Sequence, residues 1–287
     1  MIEVIQCSKG AIKKIELNKY GRLELAWINV FNPNAKELES LKKDFSIPES
    51  ILKHFLDSQE IPRIEKYKDY EIIILKFLTD KKVRTLGIAK HKNYVITVCH
   101  SNINIKPEKE FMSKDPDYFF KKIIDFLIKS FSSSLDKLEE EISYIEDTLF
   151  DDTKQKDPKK IFHLKKELMY IRKGLNANKE VIFNLDNIGN LKIELNQLID
   201  TENTLTFRMT EIMNMYMMFV SNRLNEIMKS FTVIASLILL PSLVAGIYGM
   251  NLSLPFANKD SAFYIVVAMM FVSMILMIIY FKYKKWI

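Results

Sequence analysis

Residues 231 to 251 have the sequence FTVIASLILLPSLVAGIYGMN, and the rest of the chain is organised around this stretch. It contains no charged residue, and a second uncharged run follows from Ala262 to Phe281. Each run has about the twenty apolar residues that a helix needs to cross a bilayer core of about 30 Å. The two runs therefore predict a multi-pass membrane protein with a large soluble part before them.

The composition of the whole chain hides this conclusion. Of 287 residues, 48% are hydrophobic and 27% are charged, which is ordinary for a soluble protein. The net charge is +6, but the basic residues are interspersed with acidic ones, which argues against a nucleic-acid partner. The seven glycines form no phosphate-binding loop, and no nucleophile and base stand out. We therefore expect neither enzymatic activity nor a cofactor.

Charges that flank the two runs predict their orientation. Lys229 precedes the first run, and three lysines between positions 282 and 285 follow the second. The loop between the runs has only Lys259, which is balanced by Asp260. Because basic residues concentrate on the cytoplasmic side of membrane proteins, both termini are predicted to be cytoplasmic, and the cell membrane is the predicted location.

The first 112 residues predict a cytoplasmic α/β domain, so the whole chain is classed as an α+β membrane protein. Short alternating or β-rich segments predict strands at residues 2–7, 11–17, 25–30, 71–78, 83–90 and 94–99. Asn32, which precedes Pro33, is the expected cap of a helix that extends through Phe45, and a second helix is expected to start at Pro48.

From residue 113 onward the apolar residues follow the helical period. Two long helices are predicted within 113–190, the second running from Lys159 towards Asn187. No Gly or Pro occurs between Gly189 and Pro241, so a stalk helix is expected to continue into the first membrane span without a break. The predicted segments after the helix pair are the stalk at 191–230, the spans at 231–250 and 262–281, the outer loop at 251–261 and the basic tail at 282–287.

The stalk has a heptad seam of apolar residues interrupted by one glutamate. Its members are Leu195, Leu198, Glu202, Leu205, Met209, Ile212, Tyr216 and Phe219. Such a seam predicts that identical stalks bundle around a common axis.

A second set of residues shares one face at the membrane end of the same helix. These residues are Asn225, Met228, Phe231, Ala235, Leu239, Ser242 and Gly246. Repeated by symmetry, they suit a pore with an apolar constriction that closes by dewetting. They equally suit a helix interface in lipid, where small residues allow close packing. Periodicity alone leaves both interpretations open.

The residues that close the first span are Tyr248-Gly249-Met250-Asn251, and Asn225-Glu226-Ile227-Met228-Lys229 lies upstream in the same helix. Together with Thr232, Ala245, Gly246 and the basic ending, they resemble the CorA family of magnesium channels and its Gly-Met-Asn motif. This resemblance implies a homopentamer whose long helices form a funnel. It also implies a passive influx channel for Mg²⁺, with Co²⁺ and Ni²⁺ as surrogates.

The same resemblance implies roles for individual residues. Asn251 would select the hydrated ion at the outer mouth, Gly249 would allow a tight turn, and Tyr248 and Met250 would support the loop by packing. The pore would be lined by Asn225, Met228, Phe231, Leu239, Ser242 and Gly246. Pro241 stands one residue later than the proline of the family. The resemblance therefore leaves open whether the side chains next to Pro241 face the pore.

Members of the family are closed by cytoplasmic Mg²⁺, so Mg²⁺ is expected to be regulator as well as substrate. Asp80, Asp186 and Asp200 are candidate regulatory ligands, although each also suits an exposed surface. Two alternatives remain open from the sequence: a Zn²⁺ or other divalent-cation exporter of the same fold, and a membrane-anchored sensor that conducts nothing.

Overall fold

The structure is a computed structural model that describes residues 2–8, 11–15, 26–79, 81–103, 105, 116–149, 158–251, 255 and 261–286. Its strands are β1 (Ile2–Ser8), β2 (Ala11–Ile15), β3 (Ala26–Phe31), β4 (Arg63–Tyr67), β5 (Tyr70–Thr79), β6 (Lys82–Lys90) and β7 (Tyr94–Cys99). Its helices are α1 (Ala35–Phe45), α2 (Glu49–Leu56), α3 (Pro116–Leu149), α4 (Pro158–Phe183), α5 (Gly189–Tyr248) and α6 (Ala262–Tyr283). The chain divides into two compact units, Met1–Ile212 and Met213–Ile287, and α5 contributes to both.

The strands of the first unit form a mixed sheet in the order β2-β1-β3-β7-β6-β5-β4. β3 and β7 pair in parallel, while the other neighbours pair antiparallel. The six predicted strands are confirmed, although the predicted extensions at 16–17 and 25 lie outside the described residues. The prediction missed β4, an edge strand with the sequence RIEKY and no buried residue. Its charged side chains give no apolar alternation and suit an exposed sheet edge.

The expected cap of the first helix was wrong by two positions. The side chain of Asn34, not that of Asn32, accepts a hydrogen bond from the backbone N–H of Glu37 at 2.9 Å. The Glu37 carboxylate in turn accepts the backbone N–H of Asn34 at 2.9 Å. This reciprocal capping box satisfies two N–H groups that the first turn would leave unpaired, and it places the start of α1 at Ala35.

The two faces of the sheet are covered by different helices. Ile72 and Ile74 of β5 lie in a core cluster with Leu41 of α1 and Phe55 of α2. Successive strand residues point to opposite faces, so the buried Ile73 faces the other side, where α3 and α4 contact β5. Both faces of β5 are thus excluded from water, which explains its nearly continuous apolar sequence.

An asparagine joins α4 to the sheet at the point where β4 has ended. β4 pairs with β5 only up to Ile74. Two residues later, the backbone N–H of Lys76 donates to Oδ1 of Asn178 at 2.7 Å, and Nδ2 of Asn178 donates to the Lys76 carbonyl at 2.6 Å. Asn178 is fully buried on α4. Its amide pairs with the backbone N–H and C=O of Lys76, which a neighbouring strand would otherwise pair.

The side chain of Lys76 is also buried in the first unit. Its Nζ donates to the carbonyl of Ser58 and to Oγ1 of Thr85, both at 2.9 Å. Burial lowers the pKa of this amine, because the charged form loses its hydration. The partners of the Lys76 amine are therefore uncharged oxygens, and the sheet largely excludes this group from water.

Most of the heptad seam of the stalk is buried within a single chain, so the bundling of stalks that the seam suggested stays a prediction. Leu195, Leu205, Met209 and Ile212 are buried within a single copy, and Glu202 is only 1% exposed. One carboxylate oxygen of Glu202 accepts the hydroxyl of Thr206 at 2.6 Å, and the other lies 3.6 Å from Nε of Arg172 on α4. The seam packs inside its own helical layer, so its periodicity reports an intramolecular core.

The long uninterrupted helix is confirmed. α5 comprises 60 residues and includes Pro241 in its interior. The preceding helix ends at Phe183, short of the predicted Asn187, and Asn187 adopts a left-handed backbone with φ 59° in the connecting turn. Two helices of the chain, α5 and α6, are long and apolar enough to cross a membrane.

Candidate functional site

The apolar parts of α5 and α6 are not the core of a soluble fold. Only 6% of the most apolar window of α5 and none of that of α6 is buried within the chain. Large apolar surfaces of this kind require another apolar environment. Length, composition and exposure therefore together support two membrane-spanning helices.

Aromatic residues mark both ends of α6. Phe263 and Tyr264 are strongly exposed at its start, while Tyr283 is strongly exposed at its end and Trp286 follows. The 19 helical steps from Tyr264 to Tyr283 span about 28 Å, close to the thickness of a bilayer core. Tyr and Trp favour the two membrane interfaces, so these aromatic girdles indicate where the bilayer surfaces meet the chain.

In the second unit α5 has one partly covered stripe. Val233 is buried, and Leu237, Leu240, Val244 and Tyr248 are half-buried at intervals of three or four residues. A matching half-buried stripe on α6 consists of Ala262, Val266, Met270, Ser273, Met277 and the buried Phe281. Since these two helices are the described elements of this unit, we infer that the stripes face each other.

The predicted pore residues lie on the opposite side of α5. At about 100° per residue, the row from Met228 to Gly246 is rotated by about 180° from the stripe that faces α6. Phe231 and Leu239 are 64% and 70% exposed. The other exposed members of this row are Asn225, Met228, Ala235, Ser242 and Gly246. A single chain thus leaves this mixed polar and apolar face available for contact or for a lumen.

The hydroxyl of Ser242 is held by its own helix. Its Oγ donates to the carbonyl of Ile238 at 2.8 Å, which fixes the hydroxyl proton inside the helix. The lone pairs of the oxygen therefore remain for a donor on the exposed side.

The helix tightens as it approaches the outer motif. The N–H of Gly249 donates to the Ala245 carbonyl at 2.8 Å, and the N–H of Met250 donates to the Ile247 carbonyl at 3.2 Å. The change from a four-residue to a three-residue step ends α5 at Tyr248 and leaves Asn251 exposed beyond it.

Gly249 lies close to a backbone carbonyl and does not adopt a left-handed backbone. Its φ lies outside the left-handed region, as does that of Asn251. A Cβ at position 249 would lie 3.1 Å from the Ala245 carbonyl oxygen. A methyl group would thus press on the same carbonyl that accepts the helix-closing hydrogen bond.

The remaining two motif residues differ in their surroundings. Tyr248 is half-buried, and its hydroxyl donates to the Pro255 carbonyl at 3.5 Å, a long contact that ties the motif to the following loop. Met250 is exposed, so its expected packing is not found within the described part of a single chain. The loop residues Lys259 and Asp260 lie outside the described residues.

The candidate regulatory carboxylates are dispersed. Asp186 and Asp200 are exposed, and Asp80 lies outside the described residues. Among described side chains, no three potential ligands are grouped to hold a metal ion.

One ion pair of the stalk was not apparent from the sequence. Nη2 of Arg208 on α5 donates to Glu146 at 2.5 Å and to the Ser143 hydroxyl at 2.9 Å on α3. The hydrogen bond that Arg208 donates to Glu146 raises the pKa of the guanidinium. Residues 62 positions apart carry no local spacing signal, whereas the aromatic girdles of α6 could have been found from the sequence.

Nearly the whole chain matches one family of membrane proteins. The family model described as CorA-like Mg²⁺ transporter protein matches residues 23–284. The chain belongs to the CorA family. It is 32% identical to the cobalt/magnesium transport protein CorA of Methanocaldococcus jannaschii, with 100% of both chains covered. It is 26% identical to the protein of the same name from Thermotoga maritima, with 91% of this chain and 83% of that protein covered.

Solved structures agree with this assignment. The complete structure of the CorA magnesium transporter from Methanocaldococcus jannaschii matches with a TM-score of 0.85 at 28% identity, covering 100% of this chain and 99% of that chain. The full-length CmaX protein matches with a TM-score of 0.72 at 14% identity and 96% coverage of both chains, which shows a shared fold alone. The CorA family consists of membrane transporters, so the soluble sheet domain, the long helix and the two apolar helices form a transporter fold.

Proposed function

We propose that this chain forms a passive influx channel for Mg²⁺, with Co²⁺ and Ni²⁺ as surrogate ions. The observation that carries the proposal is the exposed row on α5, which lies opposite α6 and leads towards Asn251. The two relatives named cobalt/magnesium transport protein support this choice of ions. A divalent cation gains about 4.6 kcal/mol per 100 mV on entering a negative interior, so no separate energy source is needed.

The pore requires several copies of α5 around one axis, and a homopentamer is the assembly that the family resemblance favours. Each exposed residue of the row then becomes a ring. Met228, Phe231 and Leu239 form apolar rings that exclude water when the pore narrows. Asn225 and Ser242 provide polar rings that accept hydrogen bonds from the water shell of the ion.

Asn251 selects the ion in this mechanism. Mg²⁺ gives up its water reluctantly, so it is best recognised through its hydration shell. Carboxamide oxygens accept hydrogen bonds from that shell without the full charge of a carboxylate. A neutral ring therefore binds the hydrated ion and releases it again.

We further propose that both termini are cytoplasmic and that the channel lies in the cell membrane. Lys229 and the lysines at 282–285 flank the spans at one side, which fits the preference of basic residues for the cytoplasm. Cytoplasmic Mg²⁺ would then close the channel by binding between soluble domains, with Asp80, Asp186 and Asp200 as candidate ligands.

Uptake into proteoliposomes tests the proposal. Under an inside-negative potential, the parent protein is expected to admit Mg²⁺, and Asn251→Ala is expected to lower the flux at least about tenfold, since one lost hydrogen bond to a charged species is worth about 1.5–3 kcal/mol. Asn176→Ala, at an exposed position on α4, is the matched control and should keep the parent flux.

Three results would contradict parts of this proposal. Equal flux in Asn251→Ala and the parent would refute the selectivity role of Asn251. No flux with any divalent cation would favour a non-conducting membrane anchor. Outward Zn²⁺ transport without Mg²⁺ uptake would favour an exporter of the same fold. The mass of the detergent-solubilised oligomer tests the fivefold assembly independently.

A further inference from the structure

Trp286 follows the second span, yet it lies beside the end of the pore row that is far from Asn251. It lines a cleft of about 480 Å³ in the second unit together with six residues of α5. These six are Asn222, Asn225, Glu226, Met228, Lys229 and Thr232. Among the described residues, Trp286 is thus the one member of the lining that does not belong to α5. Because Asn225 and Met228 belong to the pore row, Trp286 is next to groups that the proposed function places around the ion.

The cleft lies on a flank of α5, between the pore row and the stripe that faces α6. Asn225, Lys229 and Val233 are four residues apart, and each four-residue step rotates the side chain by about 40°. Asn225 belongs to the pore row, whereas the buried Val233 belongs to the stripe that faces α6. Lys229 therefore points between these two faces. Trp286 lines this flank at the level where α6 has already ended.

The position of Trp286 is fixed by a helix cap. Lys285 adopts a left-handed backbone with φ 54°, and its N–H donates to the Lys282 carbonyl at 3.1 Å. The N–H of Trp286 donates to the Phe281 carbonyl at 3.0 Å, and the rings of these two residues stack with centroids 5.7 Å apart and planes at 18°. Phe281 is itself buried. These contacts form a Schellman motif with its usual apolar contact, so the indole ring is held in place by the end of α6.

The part of α5 beside the cleft has little cover of its own. All residues from 221 to 232 are exposed in the described part of the chain. A helix without lateral contacts can shift sideways, whereas a packed aromatic ring resists the closer approach of its neighbours. The indole N–H of Trp286 makes no hydrogen bond to the described residues, so the ring contributes through packing.

We propose that Trp286 is a positioning residue of the pore, an inference that rests on the proposed function. Its ring supports the flank of α5 and holds the Asn225 carboxamide at the distance from the axis where it accepts hydrogen bonds from the hydrated ion. Met228 lines the same cleft and is held at the same level, next to the polar ring. The end of the second span thereby sets the geometry of the pore at Asn225, although α6 packs on another side of α5.

Mg²⁺ uptake into proteoliposomes under an inside-negative potential tests this role. Trp286→Ala is expected to lower the flux about fivefold, because a misplaced carboxamide loses about one hydrogen bond to the water shell of the ion. Trp286→Phe keeps an aromatic ring on the flank and should restore most of the parent flux. Tyr283→Ala is the matched control, since Tyr283 is an exposed aromatic residue at the same end of α6 that does not line the cleft, and it should keep the parent flux.

A double substitution separates positioning from a general loss of stability. In the Asn225→Ala background the group that Trp286 positions is absent, so adding Trp286→Ala should change the flux less than about twofold. A fivefold loss from Trp286→Ala in both backgrounds would show that Trp286 does not act through Asn225 and would overturn the proposal.

Other results also distinguish this role from its alternatives. Mg²⁺ uptake by the parent with equal uptake by Trp286→Ala would refute the positioning role and leave the channel function intact. No uptake by the parent would refute the channel function, and the positioning role with it. Equal losses in Trp286→Ala and Tyr283→Ala would indicate general anchoring by interfacial aromatic residues and would overturn the proposal. If Trp286→Ala fails to fold, Trp286→Leu removes the same ring; reduced flux in that variant supports the role, and parent flux overturns it.

Discussion

Asn178 is expected to be a decisive residue for the stability of the soluble domain. Asn178→Leu keeps a side chain of similar size but removes both hydrogen bonds to the Lys76 backbone, which measure 2.7 and 2.6 Å. Each buried backbone group left without a partner costs about 1–3 kcal/mol, so the variant should lose about 2–6 kcal/mol. Since domains are stable by only about 5–15 kcal/mol, this loss would bring the fold close to unfolding.

Denaturant unfolding in detergent, followed through the fluorescence of the buried Trp27, measures this loss. Asn176→Leu is the matched control, because Asn176 is exposed on the same helix and its replacement should change stability by less than about 0.5 kcal/mol. Asn178→Asp separates the two contacts, since a carboxylate still accepts the Lys76 N–H but opposes the Lys76 carbonyl. Equal unfolding midpoints for Asn178→Leu and Asn176→Leu would refute the argument that Asn178 completes the sheet.

Two further predictions concern other buried or strained positions. Burial raises the pKa of the Cys99 thiol from 9.0 to about 11. Between pH 9 and 11 the folded state therefore binds more protons than the unfolded state, so the stabilisation by the neutral thiol is complete below pH 9, and about 3 kcal/mol of it is lost as the pH rises towards 11. Cys99→Ala should reduce the dependence of the free energy of unfolding on pH in this range. An unchanged slope in this variant would contradict the prediction. At the cap of α6, Lys285→Gly should be about 1 kcal/mol more stable than Lys285→Ala, because only the alanine strains a φ of 54°; equal melting temperatures for these two variants, which lose the same charge, would exclude that strain.

Much of the fold could be predicted because apolar patterns within single segments of the chain indicate strands and helices. Strand β5 has an apolar run bounded by turns, and α5 has no helix breaker between Gly189 and Pro241. β4 was missed because an exposed edge strand has no apolar signal. The stalk seam was interpreted as a contact between chains, although most of it is buried within one chain, since a row of apolar residues shows that a face is buried but not what covers it.

The candidate site shows the same division between local and distant information. The row from Asn225 to Gly246 follows from helical spacing, and the structure adds that the opposite face of α5 is partly covered. The pairing of Arg208 with Glu146 joins distant parts of the chain, so no local pattern could indicate it. The tight turn expected at Gly249 came from the family resemblance, while the structure adds that a Cβ at this position would lie 3.1 Å from the Ala245 carbonyl oxygen.

The position of Pro241 within α5 has a mechanical consequence. Proline has no N–H, so the backbone bond that would reach back to Leu237 is absent from an otherwise uninterrupted helix. Bending stiffness is lowest where such a bond is missing, and compliance is therefore concentrated between Leu237 and Pro241, beside Leu239. A rod that is stiff along the stalk and compliant at this depth would convert a small sideways force into a local change of pore radius.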